Sequence, residues 1–191
     1  MRSIDHLVLP VTTLTLARAR LTGLGFTVAP DAQHPFGTGN CCVFFEDRTF
    51  LEPITIVDRM AADMAAAERV VFVKRVKRFT ERQGSGFAMV ALKSDDAEAD
   101  RAAFEAAKMD GGPVFRFARM AKLPDGSERE VGFAIANAEF PAAQDAAFFA
   151  CQAAITSAGV VGESLEMIVT GMSGSGPTLA SCSALVATST W

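Results

Sequence analysis

The feature that most constrains this chain is a repeat in the order of its elements. Residues 3–56 read as a strand, a helix and three strands, and residues 86–153 read the same way roughly 82 residues later. That order predicts an α+β fold. Paired βαβββ modules are expected to form a curved mixed sheet around a cup, not a parallel sheet sandwiched by helices or a helical bundle.

In the first half, Ser3–Pro10 is rich in β-formers and ends at proline. Thr12 or Thr13 is placed to cap a helix in which Leu14, Ala17, Leu21 and Leu24 recur at helical spacing, and Gly25 stops it. Phe26–Ala29 reads as a short strand, 30–40 as a loop, and Cys41–Phe45 and Thr49–Ile56 as strands. Asp58–Gln83 is helical in character, as one helix or two. Its run of Lys74, Arg75, Lys77 and Arg78 reads mainly as a solvated face.

In the second half, Phe87–Leu92 reads as a strand, and Asp95 or Asp96 caps a helix to Met109. Strands over Val114–Met120 and Glu130–Asn137 flank a turn at Pro124–Ser127, and Ala146–Ala153 is a further apolar run. The expected divisions are module one over 1–57, a helical connector over 58–85, module two over 86–153 and an irregular segment over 154–191. No charged residue occurs from Met167 to Trp191. That segment reads as a truncated further module or an altered one, with a strand at Ser164–Thr170 and a short helix at Leu179–Val186. It is expected to be poorly anchored or to pair with another chain as a homodimer.

Composition narrows the function. A net charge of −4 gives no electrostatic footprint for nucleic acid. No apolar stretch has the length of a membrane span and the N-terminus lacks signal-peptide anatomy, so a cytoplasmic location is expected. Four cysteines without a C-x-x-C pair argue against a disulfide framework or a zinc thiolate site. No phosphate-binding loop is present, and two histidines leave little room for a Ser–His–Asp arrangement.

The remaining chemistry sits in a few polar side chains among apolar ones. Ile4, His6 and Val8 share one face of the first strand, and Phe50, Glu52 and Ile54 share one face of the last strand of module one. If both faces line the cup, His6 and Glu52 converge as an acid–base pair or as metal ligands. The alternative is a strand histidine satisfied by a carboxylate partner. His34, Thr38 and Asn40, in a glycine-punctuated loop, are candidate substrate contacts. Arg116 and Arg119 lie three apart on a strand, so at most one points inward to hold an anionic group. Gln152 is the polar residue of its apolar run and reads equally as a ligand-side group or a surface residue.

The segments Ile4–Leu9, Gly25–Val28, His34-Pro35-x-Gly37-Thr38-x-Asn40 and Phe50-Leu51-Glu52 together resemble a glyoxalase-like domain of the vicinal oxygen chelate superfamily. The resemblance covers residues 3–56 well. It extends more loosely to Arg119–Gly126 and to Phe148–Gln152. It implies a divalent metal (zinc, nickel, manganese or iron) held by first- and fourth-strand residues. Carried over, those positions are His6, Glu52 and Gln152. It further implies an enzyme of lyase, isomerase or dioxygenase type acting on a small oxygenated molecule. The alternative is a metal-free protein that binds or sequesters a small ligand.

Overall fold

The computed structural model describes residues 2–122, 128–143, 145–157 and 160–164. The first half runs β1 (Ile4–Pro10), α1 (Leu14–Gly23), β2 (Ala32–Gln33), β3 (Thr38–Asn40), β4 (Val43–Phe44) and β5 (Phe50–Ile56). Helices α2 (Arg59–Ala67) and α3 (Val71–Gln83) follow. The second half runs β6 (Met89–Lys93), α4 (Ala97–Ala106), β7 (Phe115–Lys122), β8 (Glu128–Ala138), β9 (Ala147–Ser157) and β10 (Val160–Ser164).

The ten strands of the described residues join one mixed sheet in the order β2-β3-β5-β1-β6-β9-β8-β7, with β4 beside β5 and β10 beside β9. Pairs β1–β5 and β6–β9 are parallel, and the two halves meet at the antiparallel β1–β6 seam. The sheet curves around an axis. Its far ends come together: Phe36, in the turn between β2 and β3, lies 4.8 Å from Phe117 and 5.3 Å from Phe115 on β7. An aromatic clasp therefore closes the cup side to side.

The helices divide the two faces. Leu14 and Ala17 of α1 bury against Cys41, and Ala97 of α4 against Ala136 and Ala150, on the convex side. On the concave side α3 turns Phe72, Val73, Val76 and Phe79 onto Val8, Ile54, Met89 and Phe149. Full burial of such side chains stabilises by about 1.5–3 kcal/mol each. This packing plugs one end of the cup and leaves the other end open.

Local chemistry sets the element boundaries. Thr13 caps α1 by accepting from the Leu16 N–H, and Asp96 caps α4 by accepting from Glu98 and Ala99. Asp58–Gln83 is two helices, because Arg69 leaves helical geometry at φ +65°. The solvated-face reading of the basic run holds for Lys74 but not for Arg75, which is half-buried and donates to Asn137 Oδ1 at 3.1 Å on β8.

Two expectations about the first half need correction. Phe26–Ala29 is not a strand: its carbonyls at Val28 and Ala29 accept from the Arg18 guanidinium at 3.1 and 2.7 Å instead of from a neighbouring strand. The loop over 30–40 contains β2 and β3, and β3 pairs along β5 beside β4, the short strand that lies within the expected Cys41–Phe45. Gly37 makes that hairpin with φ +83°, and a Cβ there would meet the Asp58 carbonyl oxygen at 2.4 Å. The expected turn at Pro124, and the expected structure beyond Ser164, lie outside the described residues. No helix among the described residues is long and apolar enough to cross a membrane.

Candidate functional site

Strand alternation in β1 turns His6, Val8 and Pro10 into the cup. A register shift between Ile4 and His6 where β1 meets β6 breaks the alternation at Asp5. Asp5 therefore lines the same cavity as His6, and its Oδ2 lies 2.6 Å from His6 Nδ1. Phe50, directly beside His6 on β5, stacks on the imidazole at 4.3 Å between ring centres.

Glu52 is the next inward residue of β5. Its Oε2 lies 3.4 Å from His6 Nε2. Its Oε1 accepts from the Asn40 amide of β3 at 2.6 Å. The same oxygen lies 4.0 Å from His34 Nε2, which the β2–β3 hairpin brings in. His34 shares a hydrogen bond between Nδ1 and Thr38 Oγ1 at 2.8 Å and stacks on Phe36. His6, His34, Thr38, Asn40 and Glu52 are all buried. His6, His34, Asn40 and Glu52 line one side of a cavity of about 630 Å³, and Thr38 lies behind His34 outside that lining.

Burial acts alike on the two imidazoles, and their partners leave them in opposite states. It would depress His6, but hydrogen bonds to Asp5 and Glu52 and the charges of both outweigh it and carry His6 up to about 9. His34 has no such partner. Its burial, with Arg119 and His6 nearby, outweighs the pull of Glu52 and lowers it to about 4. Burial pushes Glu52 up, but hydrogen bonding and charge from His6, then His34 and Asn40, bring it below the usual carboxylate range. Near neutral pH the cup thus holds an imidazolium, a carboxylate and a neutral imidazole side by side.

The other expected site residues divide between the two faces. Arg119 of β7 lines the cavity, with its guanidinium 5.6 Å from the centre of the Phe133 ring. Arg116 points outward and donates to Glu98 Oε1 at 3.0 Å. Gln152 is also outside, which corrects its expected place among metal ligands. Alternation along β9 puts Phe149 and Cys151 in the cavity lining and Gln152 on the α4 side, where its amide donates to the Asp95 carbonyl at 2.8 Å. Its Oε1 accepts from the Ala97 N–H at 3.2 Å. Sequence reasoning missed Asp5, because strict alternation assigns it to the opposite face. It also missed the Cys42 and Cys151 lining, since a cysteine reads as an ordinary small apolar residue.

The trio bears on the expected metal. The donor types suit a divalent ion, and both Nδ1 atoms are tied back so that both Nε2 atoms face Glu52. Among the described residues no group of three or more His, Cys, Asp or Glu side chains is placed to hold a metal. Opposite His6 across the seam stands Ala91, which has no donor to add.

The model of a family described as the glyoxalase-like domain matches residues 4–171. The chain belongs to that family.

This places the glyoxalase-like cup within the vicinal oxygen chelate superfamily. A hypothetical protein from Staphylococcus aureus has a similar structure over 89% of this chain, at 15% identity and a TM-score of 0.65. The match covers 63% of that protein, so this chain spans less than two-thirds of its length. Methylmalonyl-CoA epimerase, solved with methylmalonyl-CoA and ammonium, matches at 16% identity and a TM-score of 0.52, over 85% of this chain and 99% of that one. A variant of 4-hydroxymandelate synthase from Streptomyces coelicolor matches at 12% identity and a TM-score of 0.50, over 89% of this chain and 54% of that one. At these identities the likeness is one of fold. No curated protein matches the chain. The buried His–His–Glu cluster and the family fold together make the cavity a ligand-binding cup.

Proposed function

We propose that this glyoxalase-like protein is an acid–base enzyme. It moves a proton at a carbon next to a carbonyl group in a small oxygenated molecule, a reaction of isomerase or lyase type. The observation that carries the reading is the pairing of an ionised Glu52 with a protonated His6 inside a desolvated cup. Asn40 and Thr38 hold Glu52 and His34 in position.

In the proposed step a substrate carbonyl oxygen accepts the His6 Nε2–H, and Glu52 takes the proton from the adjacent carbon. The C–H electron pair becomes the new C–C π bond, and the carbonyl π pair moves to oxygen, where the imidazolium stabilises it. Returning the proton from Glu52 to the same carbon, or to the neighbouring carbon, restores both residues without an oxidant or reductant. The pairing that holds Glu52 weakly basic in the free protein is given up when the substrate oxygen takes over the His6 proton, so basicity returns at the moment it is needed.

A second reading is sequestration of a small ligand without chemistry. It is favoured by the aromatic lining from Phe117, Phe133 and Phe149.

Deuterium exchange separates the two. A panel of small ketones, 2-oxo acids and 2-substituted thioesters is incubated with the protein in deuterated buffer and followed by proton NMR. Enzyme-dependent loss of one C–H signal is expected, falling about 10²–10⁴-fold in Glu52→Gln. Exchange that survives intact in Glu52→Gln, or that vanishes on chelation of divalent ions, would overturn the proposal. No exchange across the panel would leave the sequestration reading in its place.

A further inference from the structure

Among the described residues, Arg119 is a cavity-lining cation that no carboxylate of the lining engages. Asp5 is engaged by His6, Asp31 by Arg18 and Glu52 by His6 and Asn40. Arg119 has no carboxylate partner among the described residues. Its printed hydrogen bond is a long one, 3.5 Å from Nη1 to the neighbouring Met120 carbonyl. Its Nε–H is buried without an acceptor. A buried donor left unmet is costly, and a guanidinium is built to meet a planar pair of oxygens.

Its surroundings define what such a partner would be attached to. The guanidinium lies over Phe133, which stacks on Phe117 at 4.9 Å, and the edge of Phe117 meets His34 at 5.6 Å. A continuous aromatic wall thus runs from the cation to the His34–Glu52 side of the cup. Arg119 is close enough to influence both His34 and Cys42 electrostatically. The other cavity-lining carboxylates, Asp95 and Glu128, are exposed at the rim and leave the inner wall positive at this point.

We propose that the ligand of this cup is a small carboxylate carried on a flat apolar body, with Arg119 as the residue that recognises the carboxylate. This rests on the reading of the cup as the functional site and adds its substrate class. The carboxylate takes the unmet guanidinium N–H groups, and the flat body lies against Phe117 and Phe133. The reacting carbon is then held on the side of the cup that carries Glu52.

The test uses benzoate and its uncharged isostere benzamide as probes, with binding to the full chain measured by ligand-observed NMR and calorimetry. Benzoate is expected to bind about tenfold or more tightly than benzamide. Arg119→Gln should abolish that preference while benzamide binding persists, and Arg119→Lys should restore only part of it. Arg116→Gln, on the outer face, should leave the preference unchanged. Thermal melts confirm that each variant is folded. Equal affinity for the two probes, binding of neither at roughly 10 mM, or a preference that survives Arg119→Gln would overturn the inference. Glu52→Gln separates this from the proposed reaction: it should lose exchange but keep the benzoate preference. Preference without exchange in the wild-type protein would sink the reaction and leave the ligand class standing. Exchange on neutral ketones without any benzoate preference would do the reverse.

Discussion

His6 Nε2 and Glu52 Oε2 stand 3.4 Å apart on adjacent parallel strands, one inward position out of register with each other. That offset lets Phe50 cover the imidazole face while Glu52 reaches its edge. The protonated His6 therefore donates from Nδ1 to Asp5 and directs its Nε2–H at Glu52.

A first prediction concerns this proton. Titration of the His6 imidazole by heteronuclear NMR should give a midpoint near 9. In Glu52→Gln the midpoint should drop by more than about one unit, because a hydrogen bond and a full charge are removed together. A midpoint near the ordinary 6.5 in the wild-type protein would contradict the arrangement.

Stability should depend on pH from both sides. His6 has its folded value raised, so its contribution is full below about 6.5 and is lost as pH rises through about 9. His34 has its folded value lowered to about 4, so below about 6.5 the unfolded chain takes up a proton that the folded one refuses. The melting temperature should accordingly peak near pH 6.5 and fall in both directions. His34→Gln should flatten the acid limb and leave the alkaline one unchanged. Scanning calorimetry across pH 4–10 reads both limbs.

Gly37→Ala should destabilise the fold by about 2 kcal/mol or more. The added Cβ meets the Asp58 carbonyl oxygen at 2.4 Å and the Ala62 nitrogen at 2.5 Å, at a φ of +83°. The hairpin that presents His34 would shift with it, so probe binding should weaken along with the urea midpoint. An unchanged midpoint would show that the hairpin is not pinned to α2.

Phe36→Ala should cost about 3–5 kcal/mol in urea unfolding. Phe36 is buried and joins β7 to the hairpin through Phe115 and Phe117. Amide exchange should rise selectively in β7 and β2–β3, the two ends of the strand order, before it rises in the β1–β6 seam.

The strands that carry the chemistry were legible because period-two alternation is a local signal. His6 and Glu52 each stand among apolar neighbours, and both turn inward as that alternation requires. Arg119 and Arg116, three apart, likewise divide between the two faces. What stayed hidden depends on contacts far along the chain. Asp5 turns inward at a register shift that exists only against β6. His34 joins Glu52 because a two-residue strand pairs with β3, and neither is long enough to leave a periodic pattern. Gln152 read equally as a ligand-side group or a surface residue, because its polarity is visible in sequence and its hydrogen bonds to the start of α4 are not.

The seam between the halves has a further consequence. Everything that titrates in the His6–His34–Glu52 cluster comes from β1, β5 and the β2–β3 hairpin, while β9 lines the cavity with Phe149 and Cys151. The titrating cluster and this wall are thus assigned to separate stretches of polypeptide. Recontouring Cys151 or Ala153 would reshape the space offered to a guest molecule while leaving His6, His34 and Glu52 in place. Ligand preference in this scaffold can drift, or be redirected in the laboratory, without rebuilding that cluster.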